Sequence, residues 1–387
     1  MLPLTGIKVL DLSQLLPGPF CAWILAEFGA DVLKIEPLGG EAGHKFPPTT
    51  ENSSSYFYLG LNRGKRSFQI NLKHPLGKEI FEKLVANADV LVEGFRPGVL
   101  DRLGFGWERL QELNSQLIYC AISGYGQDGP ARNRVGHDIN YLALSGILGL
   151  QSETGQVSLP PVQIADIGAG ALPAALGISL AVHLRERTGR GSMVDISMLD
   201  GLISWLAPFA GNFHHPWIRN GFLRGESACY NVYRTQDERY LTLGCVEPKF
   251  WAALCQALGE EEWIPLQFAP EPTQNNIRKQ LASIFQQRSA KEWQRFFSTC
   301  ETCVEIVLLP EEMETLPQIA ARETVYQENH PREGALRAVR PPVRITGCEP
   351  AKCSQAPTPG QHTESTLLSL GYSLQQIEEL RQQGVVA

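Results

Sequence analysis

The sequence predicts an α/β protein: a Rossmann-like, doubly wound parallel sheet in a large domain, followed by a smaller α+β domain. Three observations lead to this prediction. Short apolar strands alternate with helices through the first part of the chain, as they do in βαβ units. Five such strands in succession indicate one parallel sheet covered by helices. From about residue 212 the pattern changes to neighbouring strands followed by helices, which indicates a second domain.

The predicted strands of the large domain are short apolar segments separated by turn-forming residues. They cover residues 7–12, 31–36, 67–72, 89–95, 117–123 and, further along, 193–197. Helices are predicted at residues 20–28, 75–88, 107–114 and 198–208. The first turn, Pro17-Gly18-Pro19, lacks the G-x-G-x-x-G pattern, so the sequence does not indicate a nicotinamide dinucleotide.

The smaller domain is predicted from two antiparallel strands, residues 230–235 and 240–244, and the helices that follow them. A proline-rich segment then leads to a final helix at residues 373–383, and we expect this end of the chain to pack on the first domain. The predicted domains are therefore residues 1–200, completed by 325–387, and residues 212–320.

Composition argues against some broad classes of function. A net charge of −7 and a pI of about 5.7 do not suit a general nucleic-acid or membrane-surface binder, which needs a basic face. The most apolar stretch, residues 164–182, is interrupted by Asp166 and Pro173 and fits a buried helix better than a membrane span. Nine cysteines, an odd number, and the lack of a recognisable targeting pattern lead us to expect reduced thiols and a cytoplasmic location.

Two cysteine pairs deserve a separate interpretation. Cys300 and Cys303 have the C-x-x-C spacing of redox and zinc sites, and Cys348 and Cys353 lie downstream. No predicted strand with a following helix start frames the first pair, and the second pair is more widely spaced. We therefore expect no metal site.

The stretch most suggestive of a functional site is VGHDINYLALSG, residues 135–146. A glycine turn brings His137 and Asp138 to the start of a predicted amphipathic helix, where free N–H groups and the positive dipole end favour negative charge. An ordinary alternative is that Asp138 caps the helix and His137 is a satisfied turn residue. Downstream, Asp166 lies near another predicted helix start among small residues, and it too could be a simple N-cap.

Basic residues form a second candidate feature. Arg63, Lys65 and Arg66 cluster ahead of a predicted strand, and Arg96 follows the fourth strand, which we interpret as the same edge of the sheet. A basic turn beside the ligand edge of such a sheet can hold phosphates. The alternative is a solvated, charged loop.

Taken together, these stretches resemble the family III CoA-transferase superfamily and, within it, the α-methylacyl-CoA racemase branch. The resemblance runs nearly end to end through co-linear motifs. Among them are GIKVLDLSQLLPGPFCAWILAEFGADVLKIEP, LNRGKRSFQINLK, DVLVEGFRPGVLDRLGFG, VGHDINYLALSG, ADIGAGA, GRGSMVDISMLDG and YNVYRTQDERYLTLGCVEPKFW. The resemblance implies an interlocked homodimer that acts on an acyl-CoA thioester. It implies no separate cofactor, and we expect neither nucleic acid nor a membrane as a partner.

Two chemistries occur among proteins of this kind. Transferases use an aspartate at the position of Asp138 as a nucleophile and move CoA between carboxylic acids through a covalent intermediate. Racemases carry three features: the motif G-H-D-x-N-Y, a second aspartate about thirty residues further on, and the motif E-P-x-F. In this sequence His137 belongs to the first motif, Asp166 is the second aspartate, and Glu247 begins the last motif. These three positions favour a racemase that interconverts (2R)- and (2S)-2-methylacyl-CoA in lipid metabolism. A non-enzymatic alternative, an acyl-CoA-binding or scaffold protein, would require a disarmed site.

The resemblance also implies a role for each residue of the racemase site. His137 and Asp166 are the two acid/base groups on opposite faces of the α-carbon. The N–H groups at the helix start stabilise the enolate, and Asp138 shapes the turn. Glu247 orients His137 and comes from the other subunit of the interlocked dimer.

For the CoA moiety, the resemblance implies phosphate or adenine contacts from Arg63, Lys65, Arg66 and Arg96. Relatives often have an arginine shortly after the second strand, and Lys45 is expected to serve instead here. One further departure is Glu226, which stands where racemases tend to have glycine. A carboxylate near the acyl site would weigh against a long, purely apolar acyl chain.

Overall fold

The protein is described by a computed structural model that covers residues 1–152, 157–213, 225–348 and 354–387. Its contacts divide the chain into two compact units. The large unit comprises Met1–Ile147, Leu159–Trp205 and Glu323–Ala387, and the small unit comprises Leu148–Ser158 and Leu206–Arg322. The sequence-based boundaries were residues 1–200 with 325–387, and residues 212–320.

A parallel sheet of six strands forms the large unit. The strands are β1 (Lys8–Asp11), β2 (Asp31–Glu36), β3 (Lys65–Gln69), β4 (Val90–Glu93), β5 (Ile118–Ser123) and β6 (Met193–Ser197). Their order is β3-β2-β1-β4-β5-β6, with every neighbouring pair parallel. This is the Rossmann order, so the predicted α/β class with a parallel sheet is confirmed. The order reverses between β1 and β4, and ligands of such sheets bind beyond the carboxyl ends of the strands near that point.

Helices cover both faces of this sheet. They are α1 (Pro17–Glu27), α2 (Tyr56–Leu61), α3 (Pro75–Ala86), α4 (Val99–Leu103), α5 (Trp107–Leu113), α6 (Asp138–Leu144), α8 (Leu172–Thr188) and α9 (Met198–Ser204). One hydrophobic core lies beneath α3 and α5, and a separate core lies beneath α1 and α8. Prolines occupy the first turns of α1 and α3, where a missing N–H costs no helical hydrogen bond.

The small unit contains an antiparallel sheet, β7 (Tyr230–Arg234), β8 (Tyr240–Gly244) and β9 (Val304–Ile306), in the order β7-β8-β9. Its helices are α7 (Gly149–Ser152), α10 (Pro248–Leu258), α11 (Thr273–Phe285), α12 (Ala290–Phe297) and α13 (Pro317–Ala321). Aromatic residues on the helices build its core, with Phe285 against Trp293 at 5.2 Å between ring centroids. The two predicted antiparallel strands are therefore present and paired.

The chain then returns to the large unit. A hairpin of β10 (Val325–His330) and β11 (Gly334–Val339), which the sequence did not predict, precedes α14 (Thr363–Ser369) and α15 (Leu374–Gln382). The tail binds the exposed edge of β3, since the Gln69 N–H donates to the Thr363 hydroxyl at 3.1 Å and the Asn71 N–H to the Val385 carbonyl at 2.8 Å. Leu367, Ile377 and Val385 complete the core on that face.

Among the described residues, the continuous helix Ala165–Thr188, of mean hydropathy 1.7, is long and apolar enough to cross a membrane by those two criteria alone. Core helices of soluble proteins meet the same criteria. Only one face of this helix is buried, through small residues such as Ala174 and Ala181. The other face exposes a leucine at every fourth position, so the helix that the sequence predicted to be buried is buried on one face only. These leucines are Leu172, Leu176, Leu180 and Leu184.

Candidate active site

The glycine turn predicted as a site lies directly before α6, which begins at Asp138 as expected. His137 has an extended backbone, and its N–H donates to the Asn140 side-chain oxygen at 3.0 Å. The Tyr141 hydroxyl donates to the Gly136 carbonyl at 2.7 Å. A Cβ at Gly136 would lie 2.8 Å from the Tyr125 hydroxyl, so only glycine fits. The turn is therefore held rigidly, with the His137 side chain exposed.

Asp138 does not cap its own helix. Its Oδ1 accepts hydrogen bonds from the Ala165 N–H at 2.6 Å and from the Asp166 N–H at 3.0 Å. The carboxylate thus satisfies N–H groups at the start of the helical segment that leads into α8, where a negative charge is favoured by the helix dipole. One residue therefore ties the segment that carries His137 to the segment that carries Asp166.

Asp166 lies in a π-helical turn, Ala165–Ala171, that continues into α8. Pro173 has no N–H to donate and lies in the first turn of α8, which accounts for the irregular ladder before it. Close packing requires small residues here, because a Cβ at Gly168 would lie 2.6 Å from the Trp205 ring. Burial, reinforced by the Asp138 charge and opposed by His137, raises the pKa of Asp166 to about 6.

His137, Asp138 and Asp166 together line one cavity of about 400 Å³ in the large unit. Its remaining walls are apolar apart from Gln163. The apolar lining residues are Leu15, Leu16, Phe46, Phe57, Ile139, Leu142, Leu159, Pro160, Pro161 and Val162. No lysine or arginine is among the described residues that line it. We call it the apolar cavity.

A second cavity, of about 510 Å³, shares His137 and Asp166 with the first, and cations contribute to its lining. Arg96, Arg132 and Arg134 line it, and the Arg134 guanidinium lies 5.9 Å from the centre of the Tyr125 ring. We call it the arginine cavity. Sequence reasoning identified Arg96 but missed the other two, although R-N-R stands directly before the glycine turn.

A third cavity, of about 380 Å³, lies at the carboxyl ends of β1, β2 and β3. Its walls are mostly apolar, including Ile35, Leu38 and Leu103, with Lys73 at the border. Phe95 lines both this cavity and the arginine cavity. The cavity therefore lies near the reversal of strand order, where the fold is expected to bind ligands.

The structure lends no support to the predicted phosphate or adenine contacts from Lys65 and Arg63, because both side chains are buried in internal ion pairs. The Lys65 Nζ lies 2.9 Å from the Asp11 carboxylate and also donates to the Pro19 carbonyl and the Asn62 side chain. The Arg63 guanidinium lies 2.9 Å from the Glu27 carboxylate and donates to the Val339 carbonyl. Neither cation is available to a ligand without breaking a buried pair.

The prediction that this cluster shares a sheet edge with Arg96 is wrong. Lys65 and Arg66 begin β3, whereas Arg96 follows the end of β4. In a parallel sheet the amino ends of the strands lie along one edge and their carboxyl ends lie along the opposite edge. Arg66 donates two hydrogen bonds of 2.9 Å to Asp31 at the amino edge. Lys45 is exposed at the end of a 3₁₀ turn, Ala42–Lys45.

Glu226, Glu247 and Cys303 lie in the small unit. Glu247 immediately precedes α10, and its partnership with His137 stays a prediction. The Arg278 side chain binds the carbonyl of Glu226. Cys303 immediately precedes β9, and no group of three or more potential metal-binding side chains occurs within the described ranges. Cys353 lies outside the described residues.

Comparison with known proteins agrees with this fold and identifies the family. A family model described as CoA-transferase family III matches residues 4–363. The α-methylacyl-CoA racemase of Mus musculus is 35% identical over 394 residues, which cover 99% of this chain and 97% of that protein. The succinyl-CoA:glutarate CoA-transferase of Mus musculus is 31% identical over 398 residues, covering 100% of this chain and 91% of that protein.

A crystal structure of a CaiB/BaiF family protein from Brucella suis matches with a TM-score of 0.82 at 27% identity, covering 95% of this chain and 99% of that one. The chain therefore belongs to the family III CoA-transferases, a family of enzymes that includes both racemases and transferases. Both kinds of relative are similar to this chain, so the choice of reaction depends on the site.

Proposed function

We propose that the protein racemises 2-methylacyl-CoA thioesters by two-base proton transfer at the α-carbon. The observation that carries this proposal is that His137 and Asp166, an imidazole and a carboxyl group, line one apolar cavity. Removal of a proton from one face and its return to the other requires two such groups, one protonated when the other is not. The raised pKa of Asp166, about 6, suits an acid/base group of this kind.

The lining of the apolar cavity supports an uncharged acyl group. A dicarboxylate-exchanging transferase must hold a free carboxylate, and burial of that charge without a cation is costly. The described lining of the apolar cavity offers no lysine or arginine. Branched aliphatic acyl chains fit such walls better than dicarboxylic acids.

The enolate oxygen needs donors that are already oriented before the proton leaves. We assign this role to first-turn N–H groups of α6, which begins beside His137. Asp138 then acts by holding the His137 and Asp166 segments together. The thioester itself makes the α-proton acidic, so the proposed reaction needs no further cofactor.

The proposal places the phosphates of CoA in the arginine cavity, which adjoins the apolar cavity at His137. Guanidinium groups bind phosphate through charge-assisted, bidentate hydrogen bonds. The third cavity, apolar and bordered by Phe95, suits the adenine ring. An interlocked homodimer, Glu247 acting across subunits and a cytoplasmic location belong to the same proposal.

The test is solvent exchange on separate (2R)- and (2S)-2-methylacyl-CoA in heavy water, followed by NMR. The proposal expects α-deuterium to appear from either hand together with racemisation, and His137→Ala to abolish racemisation. Transfer of CoA to an added acid without α-deuterium would overturn it.

CoA transfer without α-deuterium would favour the alternative function, a CoA-transferase in which Asp138 is the nucleophile. The specific observation behind this alternative is that Asp138 also lines the apolar cavity, in a chain 31% identical to a CoA-transferase. A covalent thioester on Asp138, detected by mass spectrometry after hydroxylamine trapping, would establish it.

A further inference from the structure

The apolar cavity and the arginine cavity meet at three residues. Leu15, His137 and Asp166 line both cavities, and the other lining residues belong to one or the other. Since the acyl chain and the CoA moiety join at the thioester, the α-carbon of a bound substrate must lie near this junction. Leu15 is the one junction residue that the proposed proton transfer does not use.

Leu15 has an unusual backbone. Its φ is +61°, in the left-handed region that a leucine rarely adopts. Its N–H donates to the Glu41 Oε2 at 3.0 Å, and the residue remains 39% exposed at the cavity wall. A strained conformation of this kind persists only where the surroundings hold it.

Buried charges hold the loop around Leu15. The carboxylate of Glu41, itself buried, pairs with Lys34 at 3.0 Å. The Lys34 Nζ also donates to the Ser13 carbonyl at 3.1 Å, and the Ser13 N–H donates to the Asp11 carboxylate at 3.0 Å. The loop is thereby fixed by ionic groups at Ser13 and at the Leu15 backbone itself, and none of these groups contacts the proposed proton-transfer pair.

We propose that Leu15 determines the size of the C2 substituent that the site accepts, an inference that rests on the proposed function. Glu41 is the positioning residue that holds Leu15 at the junction. A methyl group on the α-carbon lies beside the Leu15 side chain, and a larger group collides with it. Because Glu41 fixes the backbone rather than the substrate, it acts only through Leu15.

The specificity test uses acyl-CoA thioesters that carry methyl, ethyl or propyl on C2 and are otherwise identical. Leu15→Ala is expected to raise the ratio of kcat/KM for the 2-ethyl over the 2-methyl substrate by about tenfold, the order expected for one methylene in an apolar pocket. The matched variant Leu159→Ala shortens a leucine of the apolar cavity away from the junction and is expected to leave that ratio within about twofold. Equal ratios in the two variants would overturn the proposal.

The positioning test compares Glu41→Gln in two backgrounds. In the native background it is expected to raise the ratio of kcat/KM for the 2-ethyl over the 2-methyl substrate about tenfold, in the same direction as Leu15→Ala. In Leu15→Gly, which has no side chain at the junction and adopts positive φ without strain, the same change is expected to alter that ratio by less than about twofold. An equal change of the ratio in both backgrounds would show that Glu41 does not act through Leu15.

Calorimetric binding of the same thioesters separates this proposal from the proposed function. If the native protein shows no α-exchange, the racemase proposal fails. The affinity ratio of 2-ethyl to 2-methyl substrate in Leu15→Ala and Leu159→Ala then decides the Leu15 proposal by itself. Circular dichroism of each variant checks that it folds.

Discussion

Asp166 carries the carboxyl group on which the proposed reaction depends most directly. Most aspartates are fully ionised near pH 6. The partial burial of this carboxyl and the nearby Asp138 charge raise its pKa to about 6, so that it is still partly protonated at that pH. His137, which borders the same cavity, works in the opposite direction. A carboxyl near its midpoint can both accept and return a proton at neutral pH.

We therefore expect kcat/KM for the (2R) and (2S) substrates to depend differently on pH. For the hand whose α-proton Asp166 removes, kcat/KM should fall as the pH drops through about 6, because the base becomes protonated. For the other hand, Asp166 must supply the proton, so kcat/KM should fall above that pH. Asp166→Asn should abolish exchange of one hand and spare exchange of the other. Identical profiles for both hands, measured by NMR between pH 5 and 8, would contradict this.

Glu93 is a buried carboxyl outside the proposed site. It accepts hydrogen bonds from the Tyr119 hydroxyl at 3.0 Å and from the Phe95 N–H at 2.5 Å. Burial nevertheless raises its pKa to about 7. A group that binds its proton more tightly in the folded state stabilises the fold at low pH, and that stability is lost as the pH rises.

The free energy of unfolding should therefore contain a contribution from Glu93 that decreases between about pH 4.5 and pH 7, by about 3 kcal/mol in total. Glu93→Gln should remove this contribution. Denaturant unfolding of both proteins at pH 5 and pH 7.5 measures the difference. Glu378→Gln, at an exposed position, is the control and should change the pH dependence little. Parallel pH dependence in the native protein and Glu93→Gln would contradict the assignment.

Among elements, β3 shows how a basic sequence can be structural. Its first residue, Lys65, is fully enclosed and paired with Asp11, whereas its second, Arg66, is paired with Asp31 at the surface. Loss of one partner from a buried pair leaves an uncompensated charge, while an exposed pair contributes little.

Lys65→Met should accordingly lower the free energy of unfolding by about 3 kcal/mol or more. Arg66→Ala should lower it by less than about 1 kcal/mol. Denaturant titration of the two variants at pH 7 compares them directly. Equal losses would show that the burial of Lys65 is not the cause.

In the loop before α6, unlike at the start of β3, the cations line a cavity and are not buried in ion pairs. Arg132 and Arg134 are exposed and line a cavity at the carboxyl edge of the sheet. Loss of one charge-assisted contact to a phosphate should raise KM about tenfold and leave kcat unchanged. We expect this of Arg134→Ala. Arg190→Ala, ahead of β6 at the amino edge, should leave KM unchanged. Equal KM values for both variants would contradict a phosphate site in this cavity.

At the scale of the whole molecule, α8 presents a row of exposed leucines, of which Leu176 and Leu180 are each 61% exposed. Contiguous apolar surface of this kind is typical of an interface. We predict that the chain sediments as a dimer and that Leu180→Glu shifts it to a monomer. Leu374→Glu, at an exposed leucine on α15, should leave the sedimentation unchanged. A monomeric native protein would contradict the predicted homodimer.

The sequence by itself determined the class of fold and the local conformation around His137. Alternation of apolar strands with helices is a local pattern, so it predicted the first five parallel strands, and a strand at the position of the sixth, within a few residues. The turn around His137 and the start of α6 at Asp138 were equally local, because glycine and capping residues act within one turn.

Only the tertiary structure decided which charges are internal. From the sequence, Arg63 and Lys65 were interpreted as part of a flexible basic turn. Their burial could not be predicted, because it depends on partners such as Glu27 and Asp11 that lie tens of residues away in sequence. Likewise, the carboxylate of Asp138 caps a helix that begins far along the chain. Position along a chain does not specify such long-range contacts, which arise when packed elements exclude water and force each buried charge to find a partner.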